Sequence, residues 1–212
     1  MNYLKYLTEE IHSTVMATVD ENGLPVTCAI DIMDYDENGL YFLTARGKNF
    51  YARLKRCGYV SLTGTKGTDT LSCVAISVRG KVEEVGSDYL NRLFAKNNYM
   101  CEIYPTKASR TALTVFRIYD GYGEWFDLSK KPIERASFSF GNGIKTVDGY
   151  CITDKCICCK KCTEVCPQGC IDFANGYARI IQSSCLHCGN CFTICPVKAV
   201  EKLWPKQRKD NI

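Results

Sequence analysis

Eight cysteines in the last third of the chain are spaced for metal chemistry. Cys156, Cys159, Cys162 and Cys166 are followed by Pro167, and Cys185, Cys188, Cys191 and Cys195 by Pro196, so both runs read C-x2-C-x2-C-x3-C-P. Thiolates at i, i+3 and i+6 can wrap three corners of one iron–sulfur cube from a tight loop. The proline after the fourth redirects the chain, leaving that thiolate free to reach elsewhere. The two runs are offset by 29 residues, as are Ile157/Leu186, Val165/Ile194 and Ile171/Val200, which marks the segment as an internally duplicated unit. Paired C-x2-C spacings also suit structural zinc. Zinc needs neither a third cysteine at this interval nor a repeated Cys-Pro, and disulfides fit less well still.

The C-terminal module, residues 141–212, resembles clostridial-type two-cluster ferredoxins. In that motif the fourth cysteine of each run serves the other cube. The resemblance therefore implies one [4Fe-4S] cluster on Cys156, Cys159, Cys162 and Cys195, and a second on Cys185, Cys188, Cys191 and Cys166. Such crossing ties the repeats together and couples folding of the module to metal binding. Cys158 stands where Gly is common and aligns with His187, while Cys170 aligns with Ala199. Both are expected to be small buried or cluster-proximal residues; the alternative is a sulfur that tunes a cube's potential or supplies a spare ligand. Cys151 has no assigned role.

Of the 15 cysteines, eleven lie between Cys151 and Cys195. The other four, Cys28, Cys57, Cys73 and Cys101, are scattered singly and are expected to be buried free thiols. Residues 1–19 contain Glu9 and Glu10 and lack an apolar leader core, and no apolar stretch is long enough to span a bilayer. The expected setting is cytoplasmic, reducing and anaerobic, with no membrane partner. The formal charge of +4 is modest. From Asp148 onward there are nine Lys and Arg against six Asp and Glu, or +3. Two oxidised cubes at about −2 each would bring the module to roughly −1, so the charge gives no reason to expect nucleic acid. Lys206, Arg208 and Lys209 read as a solvated terminus, with a docking patch for an acidic carrier as the alternative.

The elements that must position a second site lie in residues 1–140, enough for a domain with its own core. An amphipathic segment over 4–11 leads into a strand over 14–19. Asn22-Gly23 and Asn38-Gly39 are hairpin signals separating further strands over 25–35 and 40–44, an antiparallel meander. Phe50, Leu54 and Cys57 then share one helical face opposite Lys48, Arg53 and Lys55. Strands follow over 59–65 and 71–85, then a helix over 87–100 with Ser87 as N-cap, and two short strands within 112–128 around Asp120-Gly121-Tyr122-Gly123. The predicted fold class is mainly β with a few helices: a small antiparallel barrel followed by the two-cluster domain.

Several stretches carry a resemblance: A-T-V-D-E-N-G-L-P at 17–25, G-L-Y-F-L-T-A-R-G-K at 39–48, V-S-L-T-G-T at 60–65 and V-R-G-K-V at 78–82. In this order they resemble the pyridoxamine 5'-phosphate oxidase-like family of FMN-binding split β-barrels, over residues 14–128. The resemblance implies that the strand-to-helix segment holds the FMN phosphate, which maps to Thr44, Arg46, Lys48 and Asn49. It also implies that the preceding strand lies against the isoalloxazine, which maps to Thr27, Cys28, Ala29 and Ile30. The residues themselves support the first assignment, since hydroxyl, cationic and backbone N–H donors meet where a strand ends and a helix begins. The alternative is a solvated turn. A homodimer with the flavin at its interface is likewise implied; Trp125 and Arg79 are candidates to complete the site across it, Trp125 with core packing as its alternative.

Nothing matches the C-terminal substrate-binding segment of true pyridoxamine phosphate oxidases, so vitamin B6 oxidation is disfavoured. Residues 129–147, with Pro132 and Gly141-Asn142-Gly143 but also Ile133, Phe138 and Phe140, read as a linker that packs rather than a free tether. With only His12 and His187, a histidine-based triad has little material. The expectation is an oxidoreductase passing electrons between an external carrier, two clusters and FMN to a small acceptor. The alternatives are a non-catalytic carrier between partner proteins, and a barrel that holds haem or a deazaflavin instead. No catalytic acid or base stands out.

Overall fold

The computed structural model describes residues 1–145, 148–173 and 176–203. Lys206, Arg208 and Lys209 of the basic tail, and the last two linker residues, Thr146 and Val147, lie outside them.

Helix α1 (Tyr3–Tyr6) runs into a π-helical turn, Leu7–Ile11. The barrel strands are β1 (Ser13–Val19), β2 (Pro25–Asp31), β3 (Asp34–Asp36), β4 (Gly39–Ala45), β5 (Tyr59–Lys66), β6 (Val74–Gly86), β7 (Leu113–Asp127) and β8 (Glu134–Phe140), with α2 (Asn49–Cys57) between β4 and β5. The sheet order is β2-β1-β5-β6-β7-β4-β3, antiparallel throughout, with β8 added on β7.

Both Asn-Gly turns close hairpins, β1 on β2 and β3 on β4. The expected meander does not form, because the single strand expected over 25–35 breaks at Ile32-Met33. Ile32 enters the barrel interior and Met33 a second core. Ile32 N–H bonds to His12 O beside β1 whereas Met33 N–H bonds to Tyr41 O of β4, so the chain changes partner strand here and β2 and β3 end at opposite edges of the sheet.

The two strands expected around 120–123 are one strand of 15 residues, β7. Asp120 takes the left-handed region (φ 48°) without ending it, opposite an irregularity in β6 between Arg79 and Lys81. The helix expected over 87–100 is also broken. A 3-10 turn (Ser87–Tyr89) precedes α3 (Leu90–Lys96), and α4 (Met100–Ile103) follows a gap. Ser87 makes no N-cap bond; Gly86 occupies that position. Asn97 ends α3 by donating its side-chain amide to Leu93 O and Met33 O at 2.8 and 2.9 Å, tying the helix to the turn before β3.

Strand β4 separates the two cores. Leu40 and Phe42 face the barrel interior with Phe116, Ile118 and Trp125, whereas Tyr41 faces Leu93, Phe94 and Val115 beneath α3 and α4. Trp125 is a core residue, 6% exposed and edge-on to Tyr6 at 4.8 Å. The expectation that the four scattered cysteines are buried fails: Cys28, Cys57 and Cys73 are half-buried and Cys101 is exposed. Cys28 lies on the edge strand β2, Cys57 is the last residue of α2, and Cys101 is in the short helix α4.

The linker is a barrel strand for much of its length. Gly121 and Gly123 of β7 leave room for the rings of Phe140 and Phe138 on β8, since a Cβ at either would stand 2.3 or 2.5 Å from them. The module that follows contains β9 (Gly149–Ile152), α5 (Lys161–Glu164), β10 (Ile171–Asp172), β11 (Arg179–Ile180), α6 (Asn190–Ile194) and β12 (Val200–Leu203). Its duplication extends to the backbone. Left-handed residues recur at the 29-residue offset: Cys158 and His187, Lys160 and Gly189, Gly169 and Lys198. No helix among the described residues is long and apolar enough to cross a membrane.

Candidate functional site

The two cysteine runs enclose two open hollows. One, of about 350 Å³ including solvent, is lined by Cys156, Cys159, Cys162 and Cys195. The other, of about 340 Å³, is lined by Cys166, Cys185, Cys188 and Cys191. Each thus gathers three cysteines of one run and the fourth of the other. Among the described residues, no three metal-binding side chains converge tightly enough for a single ion. The chain can make this crossing because Pro167 and Pro196 turn it after each fourth cysteine, and β9 with β12 clamps the ends of the duplication together.

Backbone donors point at the sulfurs in matching places. The N–H groups of Cys158 and His187 lie 3.4 Å from Cys156 Sγ and Cys185 Sγ, an orientation set by their left-handed φ of 53° and 56°. Ala199 N–H is 3.2 Å from Cys195 Sγ. Burial pushes the Cys195 and Cys166 thiols up, but the backbone N–H groups that follow each cysteine outweigh it and hold both below the ordinary value. At Cys162 burial prevails, and Cys191 is pushed up to about 11, also by burial first. Soft sulfurs around a space wider than one ion, with N–H donors aimed at them, fit an iron–sulfur cube.

The second hollow holds a fifth sulfur, which spacing alone did not assign. Cys170 is 4% exposed, lines the same space, and its Sγ lies 3.5 Å from Cys166 Sγ. The hydrogen bonds and ion pairs that join this side of the module to the barrel start from Gln168 and Asp148. Ile133 N–H donates to Gln168 Oε1 at 3.2 Å, and Arg135, already bound to Glu124, lies 3.8 Å from Asp148. His187 Nδ1 is 4.0 Å from the same Asp148 carboxylate.

In the barrel, the eight residues expected to contact FMN do not form one surface. Along β2 only Cys28 and Ile30 turn toward the interior; Thr27 and Ala29 are exposed on the outer face, as period-two alternation requires. Thr44 is 3% exposed, and its Oγ1 is buried without a hydrogen-bond partner. Arg46 donates through Nη1 to Thr111 O and Leu113 O at 3.1 and 3.2 Å, with Glu84 3.7 Å from its Nε. Lys48 and Asn49 are exposed at the start of α2, where Lys48 is the N-cap. Burial pushes the Cys28 thiol up, while the charges of Arg53 and Lys48 pull against it. Arg53 was not singled out in the sequence; from the middle of α2 it donates to Thr18 Oγ1 at 2.8 Å. Lys48 and the backbone N–H groups at the start of α2 fit a phosphate group.

A second polar group was also missed. Tyr99 Oη gives its one proton to Asp31 Oδ2 at 2.8 Å, just beyond Ile30, and so accepts from Nε2–H of His12, at φ 64°, across 3.0 Å. Only the fold brings these three together.

Models of protein families match the chain twice: residues 3–120 match the pyridoxamine 5'-phosphate oxidase family and residues 155–199 the 4Fe-4S dicluster domain. No curated protein matches it. Among solved structures, a haem-binding protein from Mycobacterium smegmatis is 12% identical over 64% of this chain and 56% of its own, with a TM-score of 0.51. A protein of the pyridoxinephosphate oxidase family from Clostridium acetobutylicum is 17% identical over 64% of this chain and 90% of its own, at 0.49. A pyridoxamine 5'-phosphate oxidase-related, FMN-binding protein from Nostoc punctiforme is 13% identical over 66% and 93%, at 0.44. Identities this low speak to fold alone.

Proposed function

The chain belongs to the pyridoxamine 5'-phosphate oxidase family and carries a 4Fe-4S dicluster domain, and from that premise we propose a flavin- and iron–sulfur-dependent oxidoreductase that passes electrons between an external carrier and a small acceptor. Two [4Fe-4S] clusters and FMN are its cofactors in this reading. The observation that carries it is the crosswise gathering of the eight motif cysteines into two sets of four. A flavin, when bound, can exchange single electrons with a cluster and a pair with a substrate.

The chain's own residues have definite parts in this reading. Cys156, Cys159, Cys162 and Cys195 hold one cube, and Cys185, Cys188, Cys191 and Cys166 the other. Lys48 and Arg53 bring positive charge to the flavin phosphate and Asn49 donates to it at the start of α2, and Cys28 and Ile30 present the inner face of β2. Arg46 steadies the same segment from behind through its bonds to β7. A homodimer completes the site; the exposed Val15, Val19 and Leu24 on the β1–β2 hairpin give it an apolar surface to bury.

The test is anaerobic reduction of the purified protein by a limiting one-electron donor, with absorbance followed in time. Cluster bleaching followed by flavin bleaching, and return of both on adding an acceptor, is expected. A flavin that stays oxidised beside reduced clusters would overturn the coupling.

A further inference from the structure

The two thiolate sets are alike in ligand order, backbone donors and local helices; their linings differ in the exposed Lys160 and Lys161 against Gly189 and Asn190, and in one buried position that bears a sulfur. Where the outer hollow has Ala199, fully buried, the barrel-side hollow has Cys170, 4% exposed with its sulfur 3.5 Å from Cys166 Sγ. The backbone N–H of this residue serves the fourth cysteine in both repeats, from Ala199 to Cys195 and from Cys170 to Cys166. The difference is therefore the side-chain thiol itself. Cys166 and Cys185, both lining the same hollow, are its sulfur neighbours.

We propose, building on the two-cluster reading above, that Cys170 donates its S–H to the Cys166 ligand sulfur and thereby raises the potential of the barrel-side cube above that of the outer one. A thiol is a weak donor, and Cys170 Sγ stands at sulfur hydrogen-bond distance from Cys166 Sγ. Reduction adds one negative charge to a cube and spreads it onto the sulfurs. A hydrogen bond to a ligand sulfur stabilises the reduced form more than the oxidised form, and the potential rises. Passage of one electron oxidises the outer cube by one and reduces the barrel-side cube by one; no bond or proton changes hands, and the one-electron external carrier re-reduces the outer cube. The barrel-side cube is the one whose loop bears Gln168, bonded to Ile133 N–H of the barrel. The thiol thus biases electrons toward the barrel.

The experiment is an anaerobic redox titration of the intact holoprotein with dithionite, read by the electron paramagnetic resonance of the reduced clusters, with iron and flavin counted on each sample. Wild type should show two separated one-electron steps. Cys170→Ala should keep its iron and lower only the upper step, changing the partition of one electron between the cubes about tenfold, or about 59 mV. Cys170→Ser, which keeps a donor, should retain part of the separation, and Ala199→Cys should raise the lower step. Unchanged steps in Cys170→Ala at full iron content would overturn the proposal, as would equal shifts of both steps. Loss of half the iron in Cys170→Ala would overturn it too, by making Cys170 a ligand. Wild type without iron would instead contradict the two-cluster reading, and wild type with iron but no flavin would contradict only the flavin part.

Discussion

Glu84 is the anchor of helix α2, and its removal gives a graded test of how the phosphate segment is held. Its carboxylate is 16% exposed and faces four donors. Thr114 Oγ1 donates at 2.7 Å, Tyr51 Oη at 3.0 Å and Lys55 Nζ at 3.1 Å, with Arg46 Nε at 3.7 Å. Thr114 is fully buried, so Glu84→Ala would leave its hydroxyl without an acceptor, at about 1–3 kcal/mol. The ion pairs to half-exposed Lys55 and Arg46 add no more than about 1 kcal/mol. Thr114 belongs to β7, so that cost falls on the barrel as a whole, while α2 itself loses the bonds of Tyr51 and Lys55, together about 2 kcal/mol. Amide hydrogen exchange of peptides covering residues 49–57 should then lose about thirtyfold in protection. Glu84→Gln keeps an acceptor for Thr114 and should lose about tenfold or less. Protection in Glu84→Ala within about threefold of wild type would refute the anchoring role and, with it, the claim that Arg46 serves the site from behind.

Acid should act on the same anchor. Burial pushes the Glu84 carboxyl up, but its bonds from Thr114, Lys55 and Tyr51 together hold it below the ordinary 4.5. Its contribution is therefore complete above 4.5 and fades as pH falls through the lower folded value. Protection of α2, corrected for intrinsic exchange, should drop in that acid window in wild type and stay flat in Glu84→Gln. Gly39 sits at φ 141° with a Cβ position 1.9 Å from Ile118 O; Gly39→Ala should cost about 3 kcal/mol or more and lower the barrel's melting temperature by roughly 10 °C, whereas an unchanged melt would contradict the close approach of β4 and β7. Titrating FMN into flavin-free protein should give a dissociation constant about tenfold weaker for Lys48→Ala but less than about threefold weaker for Arg46→Ala; the reverse order would move the phosphate to the β7 side of α2. Cys195→Ala, although it lies in the second run, should remove the cube of the first and leave about four iron per chain. Loss of the second run's cube instead would refute the crossing.

The ligand runs were legible because tight loops around a cube impose fixed local spacing, and the two hairpins because Gly23 and Gly39 supply the positive φ that each needs. Helix α2 was legible from Phe50, Leu54 and Cys57 on one face. What the sequence hid depended on partners distant along the chain. Strand β2 stops where Ile32 and Met33 enter different cores, and α3 stops where Asn97 finds Met33 O. The sequence does not show that Arg46 also donates through Nη1 to the carbonyls of Thr111 and Leu113. Arg53 reads as the solvent side of a helix until Thr18 of β1 accepts its Nε–H. Alignment with Ala199 marked Cys170 as unusual, but only the folded repeat brings its sulfur to Cys166.

The most direct test of the account is the count of iron, acid-labile sulfide and extracted flavin in protein purified without oxygen. About eight iron and eight sulfide per chain, with FMN present, is the predicted result. Zinc in place of iron, or eight iron with no flavin in protein offered FMN, would contradict it.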